Sequence, residues 1–254
     1  MIGILDSENK KDFLKLCGSA DIFACRISCL YESYSEYEGI VDFWVQYNEN
    51  GTASSVISKY SSAVTAFCTD GADTGELENF VNAVGFSSFE CNLPVLSDRP
   101  SGVIMKLDRN LYSAENIEQV SINTSVPDYK SIYRLLDSCR SESFTVPSYE
   151  DFLIELSHRL RHGTSQFCCI EKDGIPLAFA MTAAISANTA LIGSVCTAKN
   201  ARCHGFGGAC VCRLIEMSGE REIYIICAEN ENESFYSNLG FKNAGDYFCS
   251  IREL

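Results

Sequence analysis

Positive charge is scarce in this sequence, and its scarcity narrows the choice of partners. The 254 residues carry 20 Lys and Arg against 34 Asp and Glu, which gives a formal net charge of -14 at pH 7. Clustered Lys and Arg drive binding to nucleic-acid phosphates, so this balance argues against DNA or RNA as a partner. A neutral or cationic small molecule is an easier partner for such a chain.

Uninterrupted apolar runs of bilayer length are also missing. The N-terminal stretch "MIGILDSENKKDFLKLC" mixes charged residues among its apolar ones, so it lacks the apolar core of a signal peptide. We therefore expect a soluble cytoplasmic protein that does not bind a membrane.

No pair of cysteines follows the CxxC spacing, although the chain has 14 cysteines. Most of them lie inside apolar segments such as "FCCI", "ACVC" and "YIIC", which favours small buried thiols in a reducing compartment over a disulfide framework. The three histidines, His158, His162 and His204, do not combine with cysteines at zinc spacing. We expect no bound metal.

The C-terminal half shows a regular alternation of strand and helix patterns. Asp173-Gly174 between two apolar runs is a strong hairpin signal, and Ser148 with Asp151 resembles a capping box. The predicted elements are a strand at 115–124, a helix opened by Pro127 and Asp128, a helix from Ser148 to Gly163, a hairpin over 166–185, a strand at 189–197, a helix at 208–218, a strand at 222–229, a short helix at 232–240 and a final strand or strands from 241. This order predicts an α/β fold with a mixed sheet.

The N-terminal half repeats the same order of elements with little residue identity. Two helical segments precede a hairpin with Asn50-Gly51 at its turn, and a strand, a helix and a strand follow. Either an ancient duplication or chance would explain the likeness, because βα units are common. We predict two domains, 1–110 and 111–254, joined through connecting segments at 92–102 and 108–116.

The stretch "NARCHGFGGACVCRL" (200–214) places three glycines between an arginine and an apolar run. A helix start carries unpaired N–H groups, and glycines in the preceding loop let an anion approach them. The third glycine of a dinucleotide-binding GxGxxG would fall at Cys210, and no P-loop lysine follows. The glycines suit a phosphate site, or merely a tight turn that brings the helix close to the sheet. In the first half the corresponding segment "CTDGADTGELENF" is acidic and would repel phosphate.

Two motifs in the second half carry a resemblance to a known family. Arg202-x-x-Gly205-x-Gly207, between a strand and a helix, resembles the acetyl-CoA loop of the GCN5-related N-acetyltransferase (GNAT) family. The segment "NESFYSNLGF" (232–241) is similar to the FYxxLGF segment of that family. The resemblance spans about residue 115 to the C-terminus, and it implies a GNAT-like fold, with the first half a degenerate second copy in tandem.

The resemblance also implies a cofactor, acetyl-CoA, and a set of residues that hold it. Main-chain groups at the end of the third strand would contact the pantetheine arm, and the loop would hold the pyrophosphate. The residues so implied are Val195, Cys196, Thr197, Arg202, Cys203, His204, Gly205, Phe206, Gly207 and Gly208. We expect His204 and Phe206 to contribute mainly backbone, and Asn232 either to cap the short helix or to contact the cofactor.

By the same resemblance Tyr236 would be the acid that protonates the leaving thiolate; otherwise it is an aromatic residue packed between helix and sheet. An attacking amine must lose a proton, and Glu229, Glu171 or a water chain could accept it. A nucleophilic cysteine is a minor alternative, with Cys203 the most plausible residue because it precedes a helix N-terminus.

The function implied is direct transfer of an acetyl group from acetyl-CoA to a primary amine of a small molecule or peptide. The acceptor and the oligomeric state stay open, and the acidity of the chain favours a cationic acceptor. Two alternatives remain: a degenerate module that senses acyl-CoA or assembles partners, and a nucleotide-binding domain that uses the loop for ATP or NAD.

Overall fold

The computed structural model describes residues 1–112, 121–125, 128–141, 144–228 and 231–252. In the first half the elements are β1 (Ile2–Ile4), α1 (Lys10–Cys17), α2 (Ile22–Tyr34), β2 (Val41–Tyr47), β3 (Ala53–Tyr60), β4 (Ala63–Cys68), α3 (Thr74–Val84), β5 (Ser88–Cys91) and β6 (Gly102–Leu107). In the second half they are β7 (Ser121–Asn123), α4 (Tyr129–Ser138), α5 (Tyr149–Arg161), β8 (Phe167–Lys172), β9 (Ile175–Ile185), β10 (Thr189–Thr197), a 3₁₀ turn (Lys199–Ala201), α6 (Phe206–Met217), β11 (Glu222–Ala228), α7 (Glu233–Asn238) and β12 (Phe241–Ile251). The mixed α/β fold expected from the sequence is confirmed.

The described strands form one sheet in the order β1-β2-β3-β4-β5-β12-β6-β11-β10-β9-β8-β7. Each half contributes one strand to the other: β6 pairs with β11, and the last residues of β12 pair with β5. β6 and β12 also pair with each other, and all three pairings are antiparallel. β5 and β11 therefore run in opposite directions, so the carboxyl ends of the parallel pair β4 and β5 lie at the opposite edge of the sheet from those of β10 and β11.

The exchanged strand β6 was not predicted, because its apolar run "VIMKL" lies between two turn-rich segments that resemble a linker. The connection between the halves thus contains a central strand. The proposed division at residue 110 falls just after this strand and stays a prediction. Of the strand predicted at 115–124, only Ser121–Asn123 is seen as β7, and residues 113–120 lie outside the described part of the chain.

Local signals in the sequence set several element ends. The Asp128 side chain accepts the N–H of Ser131 at the start of α4, and Ser148 Oγ accepts the N–H of Asp151 at the start of α5. Asp173 and Gly174 both have positive φ, 53° and 74°, as the tight turn between β8 and β9 requires. The predicted capping and hairpin signals are confirmed at these positions.

The core lies on both faces of the sheet. On one face α6 packs against β8, β9 and β10, and α3 covers the first-half strands. On the other face α4 and α5 cover β8 and β9, while α2 crosses from β4 to β9 and β10. Cys29 Sγ, for example, lies 3.4 Å from the carbonyl oxygen of Thr164. A first-half helix therefore buries apolar residues of the second half, so both halves share one core.

All 14 cysteines are free; 11 are buried, Cys139 and Cys249 are half-buried, and Cys203 is exposed. Within the described ranges no group of three or more His, Cys, Asp or Glu is arranged to hold a metal ion. No helix in the same ranges combines the length and the apolar character needed to cross a bilayer.

Candidate functional site

Two parallel strands in the second half separate before they end. β10 and β11 pair only from Thr189 opposite Glu222 to Ile192 opposite Ile225. β10 then continues to Thr197 and β11 to Ala228, without any pairing between them in the described structure. This wedge, which we call the β10–β11 cleft, lies at the carboxyl ends of both strands, where α/β sheets bind ligands.

A bulge in β10 accompanies the separation. The pairing of β10 with β9 shifts register between Gly193 and Cys196, and Ser194 within the shift has a φ of 51°. A non-glycine residue in this left-handed region is uncommon and marks a functional or strained position. Beyond the bulge, Cys196 and Thr197 pair with β9 only, so the edge of β10 that faces the cleft has no strand partner among the described residues.

Helix α6 begins directly beside the cleft with its N-terminus uncapped. Its N-cap residue, Gly205, has a φ of 79° and no side chain bonds to the first helical turn. The first N–H groups of a helix have no intrahelical acceptor, so those of Phe206, Gly207 and Gly208 are available to an anion. Gly205 thus lies at the N-cap of α6, and Gly207 and Gly208 lie in its first turn.

Gly207 is the point where three elements meet. A Cβ atom at this position would lie 2.9 Å from Thr197 Oγ1 at the end of β10 and 3.7 Å from Phe235 Cζ on α7. The first distance is shorter than real Cβ contacts allow, so a larger residue would force either the Thr197 side chain or the helix start to move. Glycine here lets the helix start lie close to the end of β10 and to α7.

Arg202 and His204 are tied to the backbone around the loop. Arg202 Nε donates to the carbonyl oxygen of Thr197 (3.3 Å), and His204 Nδ1 lies 2.7 Å from the carbonyl oxygen of Arg202. The ring of His204 stacks on that of Phe206, with centroids 5.8 Å apart. Cys203, next to them, is exposed and has a φ of 62°. The hydrogen bond from Arg202 therefore links the loop to the end of β10.

Tyr236 lies on α7 beside the same region. It is 9% exposed and its ring packs edge-on against Phe235 and Phe241. Burial, with a smaller effect from Cys227, raises the pKa of the Tyr236 hydroxyl, so the group is protonated at neutral pH. No hydrogen bond to its hydroxyl is seen within the described residues. Tyr236 is thus packed between helix and sheet with its hydroxyl protonated.

The remaining sequence candidates are placed less favourably. Asn232 occupies the N-cap position of α7 with a φ of 58°, but its side chain makes no capping hydrogen bond, so the predicted capping role is wrong. Glu171 lies on β8, two strands from β10, where its carboxylate accepts from Asn123 Nδ2 at 3.4 Å. Glu229 lies outside the described residues. No acidic residue occurs in 193–197 or 226–228.

The first half holds a counterpart of the cleft, formed by β4 and β5, and this β4–β5 cleft is closed. Pairing there runs to Ala66 opposite Cys91. Next, Asn92 Oδ1 accepts the N–H of Cys68 (2.8 Å) while Asn92 Nδ2 donates to the Cys68 carbonyl oxygen (2.7 Å). The carboxamide thus takes the place of a further strand residue and occupies the main-chain groups that would otherwise face a ligand.

The start of helix α3 in the first half is capped by a side chain. The side chain of Asp73 accepts the N–H of Glu76 at the beginning of α3, where the second half has the uncapped Gly205. A carboxylate at this position also repels anions. Sequence reasoning noted the acidic loop but missed Asn92, whose only signal is an amide residue directly after a short strand.

One residue near the β10–β11 cleft was not predicted from the sequence. Cys139, at the C-terminal end of α4, has its sulfur 3.5 Å from the carbonyl oxygen of Thr197. Its helix precedes the glycine loop by some sixty residues in the chain, and only the packing of α4 on β10 brings it there.

Part of the chain is similar in sequence to a known family. The sequence model described as "Acetyltransferase (GNAT) family" matches residues 129–241. None of the curated proteins compared with the chain matches it.

Solved structures resemble the whole chain. A tandem GNAT protein from the clavulanic acid biosynthesis pathway has a TM-score of 0.64 at 12% identity, covering 99% of this chain and 98% of that one. A Drosophila protein has a TM-score of 0.69 at 11% identity, with coverage of 99% and 98%. A GCN5-related N-acetyltransferase from Sphaerobacter thermophilus has a TM-score of 0.59 at 14% identity, with coverage of 98% and 94%. At these identities the likeness concerns the fold, and it extends over both halves.

Proposed function

We propose that this chain, whose residues 129–241 match the model of the GNAT family of acetyltransferases, moves an acetyl group from acetyl-CoA to a primary amine and binds the coenzyme in the β10–β11 cleft. The observation that carries the proposal is the meeting of an open strand edge, an uncapped helix start and Phe235 of α7, the residue before the buried Tyr236, around Gly207.

The uncapped start of α6 suits a pyrophosphate. Its N–H groups and the positive end of the helix dipole attract an anion, and Gly205, Gly207 and Gly208 leave no Cβ in the way. The proposed binding set is the one expected from the sequence, Arg202 to Gly208. Within it, Arg202 bonds the Thr197 carbonyl through Nε, and the N–H groups on its terminal nitrogens would add a charge-assisted bond to a phosphate.

The open edge of β10 suits the amide-rich pantetheine arm. From Val195 to Thr197 this edge has no strand partner in the described structure, so an extended ligand can pair with it as a further strand would. Val195 packs toward the core under α6, whereas Cys196 packs toward α4. Main-chain groups, rather than these side chains, would therefore make the contacts.

The acetyl thioester supplies the electrophilic carbonyl, and the chain supplies orientation and proton transfer. Tyr236 keeps its proton at neutral pH and would give it to the sulfur as the thioester bond breaks. With no acidic residue in 193–197 or 226–228, water is the proposed acceptor of the proton that the amine loses. The acidic chain favours a cationic amine as acceptor.

Turnover of acetyl-CoA across a panel of polyamines, aminoglycosides and lysine-containing peptides tests the proposal, with released thiol as the readout. We expect thiol release that depends on the amine, and stabilisation of the protein by acetyl-CoA. A ligand at 100 times its dissociation constant adds about 2.7 kcal/mol to the free energy of unfolding. Stabilisation by CoA without turnover on any amine would favour a sensor or scaffold. Stabilisation by ATP or NAD instead of CoA would contradict the site assignment.

A further inference from the structure

Two aromatic rings stack beside the start of α6. The imidazole of His204 lies on the ring of Phe206, with centroids 5.8 Å apart and an angle of 12° between the ring planes. Gly205, between them, has a φ of 79°, a left-handed conformation that glycine adopts readily. The turn at this glycine lets two side chains that are two residues apart bring their rings together. We call His204 and Phe206 the loop aromatic pair.

The orientation of the loop aromatic pair is fixed at two points. Phe206 is half-buried and packs against the core between α6 and the sheet. The Nδ1–H of His204 donates to the carbonyl oxygen of Arg202 (2.7 Å), and this nitrogen carries the proton because a carbonyl group only accepts. His204 itself is exposed. The loop therefore presents an imidazole whose one face is supported by Phe206 and whose other face is open to solvent.

The loop aromatic pair lies next to the N–H groups proposed to hold the pyrophosphate. His204 directly precedes Gly205, the N-cap residue of α6, and Phe206 is the first residue of the helix. In coenzyme A a ribose joins the pyrophosphate to adenine, so the adenine ring must lie within one sugar of the helix start. Every such base has a π-face that can stack on an aromatic side chain. A ring that is already held in place loses little conformational freedom when a base stacks on it.

The corresponding place in the first half has no aromatic pair. Residues 69–75, which precede the body of α3, read "TDGADTG" and contain neither an aromatic residue nor a histidine. The side chain of Asp73 caps that helix. Of the two helix starts, only the uncapped one carries stacked rings.

We propose that the loop aromatic pair binds the adenine ring of the coenzyme, which stacks on the open face of His204. This inference rests on the proposed function and goes beyond it, since the sequence predicts mainly main-chain contacts from His204 and Phe206. Phe206 supports the imidazole from the side of the core, and the bond to the Arg202 carbonyl sets its rotation. The loop thus holds the nucleotide end of the coenzyme, whereas the open edge of β10 holds the pantetheine arm.

Two substitutions at His204 separate the effect of the ring from that of the hydrogen bond. His204→Asn removes the ring and keeps a donor for the Arg202 carbonyl, whereas His204→Phe keeps an aromatic ring and removes the donor. In calorimetric titration we expect the dissociation constant of CoA to rise about tenfold in His204→Asn and to stay within about threefold of wild type in His204→Phe. Equal affinities in the two variants, or the opposite order, would overturn the proposal.

The matched control is another exposed histidine that stacks on a ring. His162, at the end of α5, lies on His158 with centroids 4.3 Å apart. It is outside the proposed coenzyme site, so His162→Asn should leave the affinity for CoA unchanged. A loss in this control equal to that in His204→Asn would mean that the effect does not come from the loop, and the proposal would fail.

A ligand without the nucleotide shows which part of the coenzyme the rings bind. Phosphopantetheine has the arm and one phosphate but no adenosine, and its binding is measured by displacement of CoA. We expect its dissociation constant to agree within about twofold between the wild-type protein and His204→Asn. An equal loss for both ligands would assign the effect to the shape of the loop and overturn the proposal.

The fluorescent etheno derivative of CoA, whose label is on the adenine ring, reports the surroundings of the base directly. Stacking on an aromatic ring quenches this label, so at saturation the emission should be lower with the wild-type protein and His204→Phe than with His204→Asn. Equal emission from all three complexes would contradict the proposal. Failure of the wild-type protein to bind CoA at all would instead refute the proposed function, and the adenine site with it.

Discussion

The β4–β5 cleft and the β10–β11 cleft are built from the same order of elements, yet one is closed and the other open. In the first half Asn92 pairs with both main-chain groups of Cys68, and Asp73 caps the helix start. In the second half the strands separate after Ile192, and Gly205 leaves the helix start uncapped. A few polar side chains at strand and helix ends thus close one cleft and leave the other open.

The position of the two clefts adds to this difference. Since β5 and β11 run in opposite directions across the exchanged strands, the clefts open at opposite edges of the sheet. The exchange of β6 and β12 makes each half dependent on the other for a central strand. The first half therefore has a structural role that does not depend on any ligand.

The largest expected effect comes from the proposed acid in the open cleft. Tyr236→Phe removes the proton donor and keeps the ring that packs against Phe235 and Phe241, so turnover should fall by about 100-fold or more. Steady-state kinetics and CoA titration together check this, with CoA affinity within about twofold of wild type. Tyr112→Phe, in the same hydrophobic cluster, is the control and should keep normal turnover. Equal loss in both variants would point to packing rather than acid catalysis.

A side chain at Gly207 should close the open cleft. Gly207→Val places carbon atoms where a Cβ is already 2.9 Å from Thr197 Oγ1, and relief of such overpacking costs about 1–3 kcal/mol. We expect CoA affinity to fall by about 10- to 100-fold in calorimetric titration. In the first half, a Cβ at Gly75 is 3.4 Å from Asp73 Oδ1, so Gly75→Ala should leave affinity unchanged. A similar loss in that control would place the coenzyme elsewhere.

Removal of the residue that closes the first cleft should destabilise the chain without creating a second binding site. Asn92→Ala leaves the N–H and carbonyl groups of Cys68 without their partner, at a cost of about 1–3 kcal/mol for an unsatisfied group. Urea unfolding measures the loss, and Asn110→Ala, at an exposed turn, serves as the control. Calorimetry should still give one CoA per chain, because Asp73 continues to cap α3. Two bound CoA would show that Asn92 alone keeps the first cleft shut.

The smallest expected effect is a pH dependence of stability that arises at the contact between the two halves. His158 on α5 stacks on Tyr34 of α2 with ring centroids 4.6 Å apart. Burial, then the charges of His162 and Arg161, lower the pKa of His158 below its ordinary value of 6.5. The unfolded chain then takes up the proton more readily, so stability should decrease as pH falls through about 6.5 toward the folded-state value. Urea unfolding between pH 8 and pH 5 should show that the free energy of unfolding depends less on pH in His158→Gln than in the wild-type protein. An unchanged pH dependence would assign the effect to other groups.

Much of the second half could be predicted from local sequence signals. The hairpin turn at Asp173-Gly174, the N-cap residues Asp128 and Ser148, and the strand 189–197 each depend on neighbours in the chain, and the structure confirms them. The glycine loop and the "FYSNLGF" segment are contiguous motifs and indicated the family for the same reason. The role of each motif residue toward the coenzyme stays a prediction.

Other features escaped sequence reasoning because they depend on partners distant in the chain. The strand β6 resembles a linker segment until β11 and β12 provide its hydrogen bonds. In the sequence Asn92 is an ordinary loop residue, and only the fold places it opposite Cys68. Nothing in the sequence near Cys139 places it against Thr197, since only the packing of α4 on β10 does so.

The sequence by itself determined the order of helices and strands, the uncapped glycine helix start and the acidic character of the chain, because these follow from residues within one or two turns of each other. The tertiary structure decided which cleft is open, how the halves exchange strands and which thiols are exposed. Those properties arise from hydrogen bonds and packing between segments far apart in sequence, and no local propensity encodes which distant group will satisfy a given N–H, carbonyl or thiol.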